Sequence, residues 1–221
     1  MLNLQLKYKI VVKNKDGEVI KEIEEAPAKS FVKNFLSILR GAFVGSGATV
    51  TDVEGNSVSA TIGVNWDNGW CNSGQIWCNS GRRWCNGGTL YVHTNMLWIN
   101  APEGDDTYGI VVGTGDTAVT PDDYKLASQI AHGSGDGQLY YKACSVGKPN
   151  IVDSGVRVVV SRVFRNDGNS DITIAEIGIV ALVIADTTSS AKVLIIRDVL
   201  TEPVTIPAGG GIGIVTYEIK I

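Results

Sequence analysis

Ile172-Thr173-Ile174-Ala175-Glu176-Ile177-Gly178-Ile179-Val180-Ala181-Leu182-Val183-Ile184 is the most apolar stretch of this chain. Its richness in isoleucine and valine favours a strand. Glu176 interrupts it, and it falls short of the roughly 18 uninterrupted apolar residues that a membrane span needs. Working outward, strands are expected over residues 139–146, 155–165, 192–199 and 212–221, with another at 108–112. Asn166-Asp167-Gly168-Asn169, residues 186–190 and residues 207–211 supply the turns between them. Strands with turn signals every ten or so residues predict a mainly β protein, an antiparallel β-sandwich or jelly roll.

The N-terminal end adds a hairpin and a helix. Residues 4–12 alternate as a strand, Lys15-Asp16-Gly17 is a hairpin turn, residues 19–23 return, and Pro27 ends the hairpin. Ser30 is the expected N-cap of a helix through Arg40, with Phe31, Phe35, Leu36 and Leu39 on its apolar face and Gly41 as C-cap. A second, short helix is expected to open at Thr120-Pro121-Asp122-Asp123.

Composition bounds the function. The chain has 221 residues, 44% hydrophobic and 19% charged, with a net charge of −4 and a pI near 5.2. That is a globular balance, enough for one large β domain or two small ones. Apart from Arg82-Arg83 there is no basic cluster, so nucleic acid is not an expected partner. The first residues alternate polar and apolar without a signal-peptide core, so synthesis in a cytosol and a soluble product are expected.

Between these parts lies a repeat of period seven: Trp70-Cys71-Asn72-Ser73-Gly74, Trp77-Cys78-Asn79-Ser80-Gly81 and Trp84-Cys85-Asn86-Gly87-Gly88, with a degraded copy at Trp66-Asp67-Asn68-Gly69. An odd period would send successive tryptophans of one continuous strand to opposite faces, so a turn is expected inside each copy. A longer strand is expected at 89–100. Trp66, Trp70, Trp77 and Trp84 are candidates for a local core, an oligomer interface or a glycan-contacting face. Cys71, Cys78 and Cys85 hold equivalent positions and, with Cys144, are candidates for disulfides formed after exposure to an oxidising medium; buried free thiols are the alternative. Zinc is disfavoured because the C-x6-C-x6-C spacing lacks the knuckles of a compact metal loop, and His93 and His132 have no distinctive context. No metal or other cofactor is expected.

Other chemistry-like features read as structure. Gly113-Thr114-Gly115 lacks the Lys-Ser/Thr of a phosphate loop and the third glycine of a dinucleotide site, leaving a tight turn. Glu176 has no second carboxylate at a readable spacing and is expected to accept hydrogen bonds at a sheet corner. No catalytic residue is assigned and no enzyme is expected.

Three groups of residues carry a family resemblance beyond the hairpin and helix. They are Val111-Val112-Gly113-Thr114-Gly115-Asp116-Thr117-Ala118-Val119-Thr120-Pro121 with Asp123 and Leu126, then Glu176-Ile177-Gly178, then Arg197-Asp198-Val199 followed by Pro203 and a closing strand. This series resembles small virion structural proteins of tailed viruses of bacteria and archaea, tail-fibre-like or capsid-associated. The resemblance covers residues 1–43 and most of 108–221, and leaves out the Trp/Cys repeat. Three parts are expected: a hairpin and helix at 1–43 belonging to the main fold, a Trp/Cys-rich insert at 44–104, and a β-sandwich core at 105–221. The resemblance implies a virion protein made in the host cytoplasm that self-assembles, as a trimer by analogy, on a capsid or tail beside other virion proteins. A carbohydrate-binding or host-adhesion module that uses the tryptophan repeat on a surface glycan is the other expectation.

Overall fold

The computed structural model describes residues 5–28, 31–44, 48–60, 74–78, 81–85, 97–152, 155–184 and 190–220. It is mainly β with one helix. In chain order the elements are β1 (Gln5–Lys13), β2 (Val19–Pro27), α1 (Lys33–Val44), β3 (Ala48–Thr51), β4 (Ser57–Ala60), β5 (Gly74–Cys78), β6 (Gly81–Cys85) and β7 (Gly109–Gly113). There follow β8 (Tyr140–Tyr141), β9 (Ser145–Val146), β10 (Asn150–Val152), β11 (Gly155–Asn166), β12 (Ile172–Ile184), β13 (Ser190–Ile206) and β14 (Gly211–Lys220).

Two antiparallel sheets dominate. One runs β10-β11-β14-β1-β2, with β8 and β9 also on β11; the other runs β13-β12-β7. In the first sheet the two-residue alternation is plain: Leu6, Tyr8, Ile10 and Val12 of β1, Val160, Arg162 and Phe164 of β11, and Val215 and Tyr217 of β14 are buried. These side chains face the second sheet. Tyr217 reaches Asp198 of β13, Arg162 reaches the Ile110 carbonyl of β7, and Gly213 lies against Ile206. Strand β12 is buried continuously from Ile174 to Ala181, as a central strand covered on both faces should be. Val32 and Asn34 tie α1 to its neighbour β13: Val32 N–H donates to the Ile195 carbonyl, and the buried Asn34 amide donates to the carbonyls of Leu194 and Thr51 while accepting from Thr51 N–H.

Several expectations need correction. The helix continues through Gly41 to Val44, so Gly41 is interior and not a cap; a helix held by tertiary contacts tolerates the roughly 1 kcal/mol this costs. It starts at Lys33, and Ser30 lies outside the described residues. The expected strand at 139–146 is split into β8 and β9. Its Lys142 carbonyl is taken by the Arg162 guanidinium and its Cys144 N–H turns to the Ala101 carbonyl, so neither can continue the ladder. Strand β13 is far longer than expected, because residues 200–203 bulge opposite the single residue Ala175; Pro203, which has no ladder N–H, sits in that bulge. Of the strand expected at 89–100, the described residues 97–100 contribute one antiparallel bridge, Trp98 with Leu182. The rest lies outside the described residues.

Arg162 holds the two sheets together at one end. It is fully buried, and its guanidinium donates to the carbonyls of Lys142 (2.7 Å), Tyr108 (2.9 Å), Ile110 (3.0 Å), Pro102 (3.3 Å) and Asp105, with the Tyr141 ring 4.8 Å from its central carbon. The fork geometry satisfies a loop that would otherwise bury unpaired carbonyls. Arg162→Lys is therefore expected to destabilise the fold by about 2 kcal/mol or more, and Arg162→Leu by more still, because several buried acceptors lose their donor. Urea unfolding followed by tryptophan fluorescence measures both.

Candidate functional site

Glu176 lies at the centre of β12 with no exposed surface. Its Oε1 accepts the N–H groups of Gly115 (3.2 Å) and Ser128 (2.7 Å); its Oε2 accepts that of Ala127 (3.0 Å) and the Arg197 Nε (2.9 Å). Arg197, itself buried, extends the network with its other nitrogens to Asp123 Oδ2 (2.7 Å) and to the carbonyl and hydroxyl of Thr117 (both 3.0 Å). The loop from 113 to 128 is thus wrapped around one ion pair.

This wrapping explains the glycines. A Cβ on Gly113 would sit 2.4 Å from the Ser128 carbonyl oxygen, and one on Gly115 would sit 2.5 Å from Glu176 Oε1. A Cβ on Gly178 would sit 2.7 Å from the Ile196 carbonyl oxygen and 3.0 Å from the Leu126 side chain. Gly113-Thr114-Gly115 is close-approach backbone for a carboxylate inside the protein. The expected helix at Thr120 is a turn: Asp123 N–H donates to the Thr120 carbonyl, while the Asp123 carboxylate folds back to accept from the Thr120 N–H (2.9 Å) and hydroxyl (2.7 Å). Its carboxylate is also taken by Arg197, and the chain runs on through 124–128 without forming a helix.

Electrostatics follow the geometry. Burial works to raise the Asp123 carboxyl, but the Thr120 and Arg197 hydrogen bonds outweigh it and hold the group below its ordinary value. Burial opposes charge on Arg197 too, yet Asp123 and Glu176 hold its guanidinium above the usual range.

Beside this network, but on the opposite face of β13, Asp198 lines a cleft with Tyr8, Phe31 and Thr201. Tyr217 is fully buried and donates to Asp198 Oδ2 at 3.0 Å; burial, then Asp198, push its hydroxyl well up, so it stays protonated. Neither Asp198 nor Arg197 was singled out as a site residue by the sequence. The signal was available: two adjacent opposite charges in an otherwise apolar strand, which alternation sends to opposite faces.

Among the expected site residues, Trp66, Trp70 and Cys71 lie outside the described residues, as does His93. Trp77, Cys78, Trp84 and Cys85 fall in the β5–β6 hairpin, whose register pairs Trp77 with Arg82 and Gln75 with Trp84. In that register positions 77 and 84 fall on the same side of the ladder, as expected of a turn inside the copy that begins at position 77. Positions 78 and 85 share the other face at opposite ends, about 13 Å apart at strand rise, beyond the roughly 7 Å that a disulfide spans. Cys144 is a buried free thiol whose ionisation is pushed up, chiefly by burial. His132 accepts the Tyr141 N–H at Nδ1 (3.1 Å). Among the described residues no three His, Cys, Asp or Glu side chains are grouped to hold a metal ion, and no helix is long and apolar enough to cross a membrane. No protein-family model, curated protein or solved structure matches the chain.

Glu176→Gln is expected to cost about 3–5 kcal/mol, since an amide presents a donor to at least one of the surrounding donors and leaves Arg197 short of a buried partner. Urea unfolding at neutral pH measures it. The Asp123 carboxyl is lowered on folding, so its contribution is complete above its unfolded value near 3.8 and is lost as pH falls through the folded value. Stability should therefore drop below about pH 4, and part of that drop should vanish in Asp123→Asn. Thermal melts from pH 2 to 7 on both proteins test this.

Proposed function

We propose that this chain is a virion structural protein of a tailed virus, a non-enzymatic β-sandwich that assembles as a homo-oligomer on a capsid or tail. The observation that carries the reading is the convergence of the family-like motifs. Gly113, Gly115, Thr117, Asp123, Leu126, Glu176, Gly178 and Arg197 are scattered over more than eighty positions, yet they meet around one buried ion pair. The residues that carry the resemblance lie at this junction, which supports a likeness of architecture. Their donors and acceptors are spent on one another, which suits a building block better than a catalyst.

Self-association is supported by an apolar edge. Ile151 of β10 and Val156 of β11 are directly paired and are 78% and 45% exposed; Val146 of the adjoining β9 is 43% exposed. Alternation along β11 puts Val156 on the same face as buried Val160 and Phe164, so the patch prolongs the core-facing surface past its cover. A second copy of the chain is the proposed cover, in a cyclic assembly for which a trimer is favoured by analogy. A host-adhesion role for the Trp repeat is the second reading, favoured by the hairpin register that brings positions 77 and 84 to one face.

Analytical ultracentrifugation of the purified chain at micromolar concentration is the test. An oligomer is expected, and Ile151→Lys with Val156→Lys should shift it to monomer with little change in melting temperature. A monomer at every concentration, together with absence of the chain from purified particles, would sink the proposal.

A further inference from the structure

We propose that copies of this chain join edge to edge: the β2 edge of one copy's seven-stranded sheet meets the β8–β10 edge of the next, and the contact repeats around a ring. The proposal rests on the self-association reading above and names the second surface that such an assembly needs. A cyclic assembly of more than two copies cannot be built from one patch meeting itself. Each copy must offer two different surfaces that fit each other.

The seven-stranded sheet has two such ends. Among the described residues no strand lies beyond β2, and none lies beyond β8, β9 and β10, which follow one another down the outer side of β11. An edge strand presents unpaired N–H and C=O groups as well as side chains, which makes it a template for another chain. The exposed apolar side chains gather at these same ends. Val19 and Ile20 of β2 are 53% and 50% exposed, and Val146, Ile151 and Val156 stand at the other end. Among the described residues the remaining exposed large apolar side chains are Leu36 and Phe43 of α1. Ile20 is the extra residue of a bulge: Val12 pairs with Lys21 and Lys13 with Val19, so Ile20 has no partner on β1.

Charge and strand direction favour a contact between unlike edges. Glu24 on β2 and Lys148 between β9 and β10 are exposed, and neither has an ion-pair partner among the described residues. An acid at one edge and a base at the other attract across a heterologous contact, whereas across a twofold contact each edge would face its own charge. The path β10-β11-β14-β1-β2 is antiparallel at every step, so β10 and β2 run in the same sense. Copies turned about an axis along the strands therefore bring like-directed edges together, and one contact geometry serves the whole ring. Pairing of β10 with β10 across a twofold axis would cover Ile151 and leave Val19 and Ile20 in water.

The test mixes two variants. Val19→Lys with Ile20→Lys blocks the β2 edge, and Ile151→Lys with Val156→Lys blocks the β10 edge; all four positions are exposed, and unchanged melting temperatures check that both variants fold. In sedimentation velocity at high micromolar concentration each variant alone is expected to be a monomer. An equimolar mixture is expected to form a 1:1 complex through the one contact left intact, and to go no further. Charge reversal is the second measurement: Glu24→Lys should weaken the association of the otherwise unaltered chain by about two- to fivefold, and Lys148→Glu in the same chain should restore it. A β2 variant that keeps the wild-type oligomer would overturn the proposal while leaving the assembly reading in place. So would two monomeric variants that give no complex when mixed, and so would a Glu24→Lys defect that Lys148→Glu leaves unrepaired. A monomeric wild-type chain would instead remove the assembly reading, and this proposal with it.

Discussion

The Glu176–Arg197 ion pair is the constraint on which the rest of the structure turns. A carboxylate and a guanidinium this deeply buried lose several kcal/mol each in hydration, and they persist only if every remaining hydrogen-bonding position is filled. Three backbone N–H groups, one carboxylate and one threonine fill them, all from the single stretch 115–128. That stretch is consequently fixed in place without regular secondary structure, and it brings Pro121 to accept the Lys33 N–H at the start of α1. One buried pair thus sets the path of a long loop, the glycines within it and the seating of the helix.

Arg162 solves the same problem at another place by different means. Its partners are main-chain carbonyls and an aromatic face instead of carboxylates. Burial accordingly pulls its guanidinium below the usual value, whereas Arg197, flanked by Asp123 and Glu176, is held above it. The two arginines staple irregular segments, 102–108 and 117–123, to regular strands. Such stapling lets a β protein carry long loops without burying unpaired backbone groups.

What could be read from sequence followed from locality. Alternation placed β1, β11 and β14 within a residue or two at each end, and the apolar run 172–184 coincides with β12. The long-range pairings were not legible. Nothing near Asn34 announces that its amide will join β3 to β13, and nothing near Lys142 reveals that a guanidinium twenty residues on will end its strand. Thr120-Pro121-Asp122-Asp123 satisfies the local rules for a helix start, yet the chain makes a turn there. Arg197, which binds the Asp123 carboxylate, lies 74 residues away in sequence and gives no local sign of the contact. Glu176 was read as an acceptor of hydrogen bonds from its apolar context alone, while its partners had to await the fold.

The same division of labour bears on the Trp/Cys repeat. On one side of the repeat Ala60 is buried and paired with Ala48, and on the other the backbone of Trp98 exchanges two hydrogen bonds with Leu182. Both flanks are therefore anchored to the common core. Segments tied at both ends to a rigid scaffold are where proteins vary sequence and place recognition. Within that segment the β5–β6 register sets positions 77 and 84 on one side of the ladder.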